Sequence, residues 1–101
     1  MVVEFSIVPI GKGEELAELV AKVLDIVDAC GLPYQLTSMG TIVEGEWDDV
    51  FAVVKACHAK MREHAARVYT HITIDDREKA QGRIQGKIDA IEKTLGRRVK
   101  R

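Results

Sequence analysis

Aromatic residues are scarce in this chain, at 5% of 101 positions, and cysteine and proline occur only twice each. Two cysteines cannot build a disulfide-dense scaffold, and without C-x-x-C spacing Cys30 and Cys57 supply no zinc or redox motif. Both fall inside helical patterns and read as small, reduced core residues. Long apolar runs are missing as well. No stretch approaches the roughly 20 residues that span a bilayer. The apolar start, Met1 to Ile10, is interrupted by Glu4, Ser6 and Pro9 and lacks a basic leader and a cleavage site, so it reads as neither signal peptide nor anchor. Charge of one sign is absent too. Fifteen Lys and Arg face sixteen Asp and Glu, so no overall field draws the chain to nucleic acid or an anionic membrane. The basic end, Arg97, Arg98, Lys100 and Arg101, reads as a solubilising tail. Neither a solenoid repeat nor a low-complexity segment occurs.

What the chain does have is 47% hydrophobic and 31% charged residues, the balance of one globular domain over residues 1–101. A domain this small leaves much surface uncovered, which makes self-association a reasonable way to bury more apolar area. Residues 2–8 alternate, with Val3, Phe5 and Ile7 on one face and Glu4, Ser6 and Val8 on the other, and predict a strand. Pro9 and Gly11 to Gly13 end it. Leu16, Leu19, Val20, Val23, Leu24, Val27 and Cys30 then recur at helical spacing, with Glu14 and Glu15 at the helix start and Gly31 and Pro33 past its end.

Residues 34–38 and 41–45 predict a hairpin joined by Met39 and Gly40. A second helix follows, its stripe made by Trp47, Val50, Phe51, Val54, Cys57 and Met61 and its first turn by Asp48 and Asp49. Residues 67–75 alternate again as a fourth strand. From about Glu78 to Leu95 a third helix carries the narrow stripe Ile84, Ile88, Ile91 and Leu95, with Gly82 and Gly86 inside it. The order βαββαβ plus a helix predicts an α+β, ferredoxin-like sandwich with an additional C-terminal helix. Right-handed crossovers put the first two helices on one sheet face and leave the other open.

The open face would show Glu4, Ser6, Val8, Tyr69, His71 and Thr73. It could meet water, a ligand, a second subunit or RNA, but only Tyr69 is aromatic there and no RNP-type pattern of basic, glycine and aromatic residues occurs. The histidines make no zinc set of the H-E-x-x-H kind. His58 reads as a hydrogen-bonded residue at the helix boundary, His64 as solvated at the helix end, and His71 as free to contact something polar. Ser6 and Ser38 lack a nucleophile-elbow context, and Gly11 to Gly13 is followed by no Lys-Ser or Lys-Thr, so the expectation is a non-enzyme. One constellation remains, Met39, Gly40, Thr41, Glu44 and Gly45. Thr can donate and accept, Glu can balance a cation, and Met can pack on a flat ring. An ordinary hairpin with a surface Glu accounts for the same residues.

The strings Ser6-Ile7-Val8-Pro9-Ile10-Gly11, Met39-Gly40-Thr41 with Glu44-Gly45-Glu46, Arg67-Val68 and Asp75-Asp76-Arg77 occur in an order and spacing that resembles the small thiamine-binding protein family. The resemblance covers nearly the whole chain. It implies a cytoplasmic ferredoxin-like subunit assembled as a homodimer or homotetramer, and binding of thiamine or its hydroxymethylpyrimidine moiety. No cofactor is required. Carried over by position, Ser6 and Thr41 would be the polar ligand contacts and Glu44 the next, with Met39 and Thr37 as walls. Glu44 could instead serve a subunit interface, and Asp75 to Arg77 read as a turn or assembly element. The resulting expectation is a carrier or sensor of a thiamine-like molecule. The alternatives are a structural or regulatory oligomer without a small ligand and an RNA-binding sheet.

Overall fold

Strand β1 (Val2–Pro9) runs through the middle of a four-stranded antiparallel sheet in the computed structural model, which describes residues 1–101. The strand order is β2 (Tyr34–Leu36), β3 (Thr41–Glu44), β1, β4 (Val68–Asp75). Helices α1 (Leu16–Ala29), α2 (Trp47–Arg62) and α3 (Arg83–Leu95) complete the chain. The fold is the expected α+β, ferredoxin-like arrangement with an extra C-terminal helix.

The alternation read in β1 sets the core. Val3, Phe5 and Ile7 are buried against α1 and α2, together with Leu19, Val23 and Val27 from α1 and Val50, Val53, Val54, Cys57 and Met61 from α2. The α2 stripe is shifted from the expected one. Val53 is buried, whereas Trp47, at the first helical position, is 54% exposed and stacks on Phe51 with ring centroids 4.6 Å apart. Burial pushes the Cys57 thiol up to about 11, with Cys30 adding to the effect, so it is an unreactive core group rather than a nucleophile. On the same sheet face, β4 places Thr70, Ile72 and Ile74 beside Ile7, Phe5 and Val3. His58 Nδ1 lies 2.5 Å from Thr70 Oγ1 and ties α2 to this edge strand. Ile72 and Ile74 remain 38% and 41% exposed because α2 covers this edge strand only in part.

Three further expectations change. His64 is half-buried, and its Nε2 is enclosed without a partner rather than solvated. The hairpin turn is longer than two residues, since β2 ends at Leu36 and β3 begins at Thr41. Helix α3 starts at Arg83, not near Glu78. Gly82 occupies its N-cap with φ 63°, a left-handed conformation that glycine reaches without a Cβ clash, and Lys79 also has positive φ at 62°. Two such residues keep 79–82 out of a helical path.

The second sheet face is not wholly open either. Backbone and side-chain groups of α3 bond strands across one end of it: the Ile84 backbone N–H donates to the Glu44 carboxylate of β3 at 3.2 Å, the Gln85 side chain makes a 3.5 Å contact to Gln35 of β2, and Lys87 pairs with Asp75 of β4. Helix α3 buries no residue completely, and Ile91 and Leu95 stand 55% and 49% exposed. Polar contacts therefore carry much of its attachment. Beyond it, Gly96 closes the helix in the left-handed conformation and Arg101 folds back onto Asp89 and Glu92.

Two outcomes test this division. Phe5→Ala should cost about 3–5 kcal/mol in urea unfolding, while Met39→Ala, at an 81% exposed position, should stay within about 0.5 kcal/mol. Lys87 holds the Asp75 carboxyl below its ordinary value of 3.8 by a hydrogen bond and by charge. A lowered carboxylate stabilises the fold in full above that ordinary value and loses the contribution as pH falls through the folded one. The α3 amides should therefore lose hydrogen-exchange protection below about pH 4 before those of β1, and Asp75→Asn should diminish that acid step, the Glu92 carboxyl, also lowered by its bond to Arg101, supplying part of the rest.

Candidate functional site

A length mismatch creates the site. Strand β4 pairs with β1 along all eight residues, from Val2 with Asp75 to Pro9 with Val68. Strand β3 pairs with only four, ending at Phe5 with Thr41. Backbone groups of an antiparallel strand alternate sides. Ile10 N–H reaches Arg67 O on the β4 side, so the odd-numbered residues of β1 turn toward β3. Ile7 is the first of these past the end of β3, and its N–H and C=O have no ladder partner there.

The gap is a cavity of about 190 Å³, floored by Ile7 and Val8, walled by Leu16 and Val20 of α1, and roofed by the hairpin loop. Leu16 and Val20 belong to the apolar stripe of α1, yet they are 42% and 37% exposed because this cavity lies in front of them. The loop above is held by one side chain. Thr37 Oγ1 donates to Gly40 O at 2.9 Å and accepts from the N–H groups of Met39 and Gly40 at 3.2 and 3.1 Å. Gly40 is required by contact, since a Cβ there would sit 2.8 Å from Phe5 O.

Four of the five expected site residues, Ser6, Thr37, Met39 and Thr41, line this cavity. Ser6 and Thr41 flank the end of β3 from opposite sheet faces, since Ser6 pairs with His71 of the open face and Thr41 with Phe5 of the core face. Thr41 is 8% exposed, and neither its hydroxyl nor that of Ser6 bonds within the chain. Thr37, by contrast, has its hydroxyl committed to the turn. No residue lining the cavity is charged.

The fifth residue, Glu44, is elsewhere. Three positions along β3 from Thr41 it points to the opposite face, under α3, where it lines a separate cavity of about 550 Å³. The sequence reading missed the apolar walls Leu16 and Val20 and the unpaired Ile7 backbone. The first two could have been found as the part of the α1 stripe that precedes the core residues Leu19 and Val23.

The site is thus an uncharged cavity at the end of a foreshortened strand of a ferredoxin-like sheet, built from β1 and the hairpin. Comparison with known proteins places the chain in a family. A family model described as thiamine-binding protein matches residues 3–92. UPF0045 protein YqgV of Bacillus subtilis is 38% identical over 100 residues, covering 93% of this chain and 96% of that protein. UPF0045 protein MJ1052 of Methanocaldococcus jannaschii is 31% identical over 91 residues, covering 90% and 91%. The crystal structure of MJ1052 superimposes with a TM-score of 0.82 over 89% of this chain and 93% of that one. A Thermotoga maritima protein, TM0486, described as a candidate for thiamine biosynthesis or salvage, is 22% identical with a TM-score of 0.79, covers 89% and 96%, and shares the fold. The chain belongs to the thiamine-binding protein family, whose description names binding and no catalytic activity.

Gly40→Ala should push the hairpin loop off β1 and destabilise the protein by about 1–3 kcal/mol in chemical denaturation, a larger loss than Gly→Ala gives at an open site.

Proposed function

We propose that the chain binds the aminopyrimidine half of thiamine in the hairpin cavity, as thiamine or as hydroxymethylpyrimidine, and acts as a non-catalytic carrier or sensor. The observation that carries this reading is the uncharged cavity shared by Ser6, Thr37, Met39 and Thr41. An aminopyrimidine is flat, neutral and carries both donors and acceptors. Free hydroxyls on Ser6 and Thr41 and the unpaired Ile7 backbone offer complementary groups, while Leu16, Val20 and Met39 offer apolar contact to the ring. Glu44 faces a different cavity, so nothing here would neutralise a thiazolium, and hydroxymethylpyrimidine should bind about as well as thiamine.

The protein acts, in this proposal, as a homodimer or homotetramer in the cytoplasm. Strand β4 is an edge strand of eight residues that carries the partly exposed Ile72 and Ile74, and a long uncovered edge is a surface that proteins cover. The thiols of Cys30 and Cys57 are unpaired, which suits a reducing compartment.

Titration calorimetry with thiamine and with hydroxymethylpyrimidine, on protein whose mass is fixed by light scattering, tests both parts. Both ligands should give saturable heat, and Thr41→Val, which keeps shape and removes the hydroxyl, should weaken both by roughly tenfold. No heat from either at millimolar concentration, in folded protein, would overturn the binding reading. A monomeric mass would overturn the assembly.

A further inference from the structure

The cavity beneath α3 has a chemistry that the hairpin cavity lacks. Glu44 is one of two buried polar residues in the chain and is only 8% exposed. Its Oε1 accepts the Ile84 N–H at 3.2 Å, its other oxygen has no hydrogen-bond partner in the chain, and the residue lines the cavity. Burying a carboxylate is costly unless its charge is met. The helix end supplies about half a positive charge and one donor, which answers part of that demand. Lysine and arginine are absent from the lining, and the Met1 ammonium at its wall is turned to Gly45 O at 3.0 Å. Glu46 and Asp49, at the rim, add two more carboxylates, and none of the three forms an ion pair.

The arrangement narrows the occupant by elimination. An anion would meet three like charges. A metal ion needs several ligands within one coordination shell, and nowhere in the chain do three His, Cys, Asp or Glu converge in that way. Carboxylates too dispersed for one ion but lining one space of about 550 Å³ match a cation that is itself extended. Leu32 and Pro33 add apolar lining to the same space.

We propose that this cavity is a binding site for an alkylammonium ion, one ammonium on the free oxygen of Glu44, the carbon stem along Leu32 and Pro33, and a second ammonium, where the ligand has one, at Glu46 or Asp49. The site is separate from the pyrimidine cavity and does not depend on it. Because α3 forms one wall and is attached mainly by polar contacts, an occupant also fastens that helix to the sheet.

Calorimetry at low salt with 1,4-diaminobutane, butylammonium and magnesium tests the proposal. Both amines should bind saturably, the diamine more tightly, and α3 amides should gain hydrogen-exchange protection when the diamine is present. Glu44→Gln should weaken both amines by roughly tenfold. Asp49→Asn should weaken the diamine alone by roughly threefold. Gln81→Arg, at an exposed rim position, supplies a built-in cation without touching the buried carboxylate and should weaken both amines even if Glu44→Gln fails to fold. Thr41→Val should leave amine binding unchanged, which separates this result from that of the pyrimidine site. Absence of saturable heat from either amine, wild-type binding by both Gln81→Arg and a folded Glu44→Gln, or preference for magnesium would overturn it.

Discussion

The whole molecule depends on the two unequal pairings of β1. Its outer partner β4 matches it residue for residue, while its inner partner β3 stops after four. Full pairing on one side makes β1 a fixed spine, and each of its core-facing side chains is held in the cluster with α1 and α2. Short pairing on the other side leaves backbone and hydroxyl groups of a rigid strand facing a cavity. A binding surface on such a strand needs little ordering when a guest arrives, which keeps the entropic cost of association low.

The two sheet faces are held by different physics. On the helix face, apolar contact dominates: Val3, Val27, Val43, Val50 and Cys57 are wholly enclosed. On the other face, α3 contributes no buried side chain, and a backbone N–H on Glu44, an amide pair and the Lys87–Asp75 ion pair hold it. Hydrophobic burial is insensitive to pH, whereas carboxylate contacts are not. The sandwich and the third helix are thus joined in one chain but answer to different solution conditions.

Period-two and helical spacing made the sheet and the first two helices legible, because Val3, Phe5, Ile7, Leu19, Val23 and Val27 each carry burial in their position along an element. The start of α3 was not legible. Glu78 to Gln81 are ordinary helix formers one by one, yet they bring no apolar anchor, and Gly82 takes the left-handed cap that starts the helix after it. Hydrophobicity alone places Trp47 in the α2 stripe, but at the first helical position it packs on Phe51, its neighbour one turn on, rather than on the sheet. The separation of Glu44 from Thr41 was already implied by the pleat, since residues three apart on a strand face opposite ways. What no spacing could reveal was that α3 would cover Glu44, nor that β3 would end opposite Phe5. Both depend on register between distant segments.

Trp47 is the only tryptophan in the sequence, and it sits half exposed between Glu46 and Asp49, two residues at the rim of the α3 cavity. The molecule therefore carries its own fluorophore where the second helix begins, on a surface where water contact should redden the emission. Steady-state emission and quenching by iodide become local optical gauges of that rim, with no attached dye and no competing indole elsewhere.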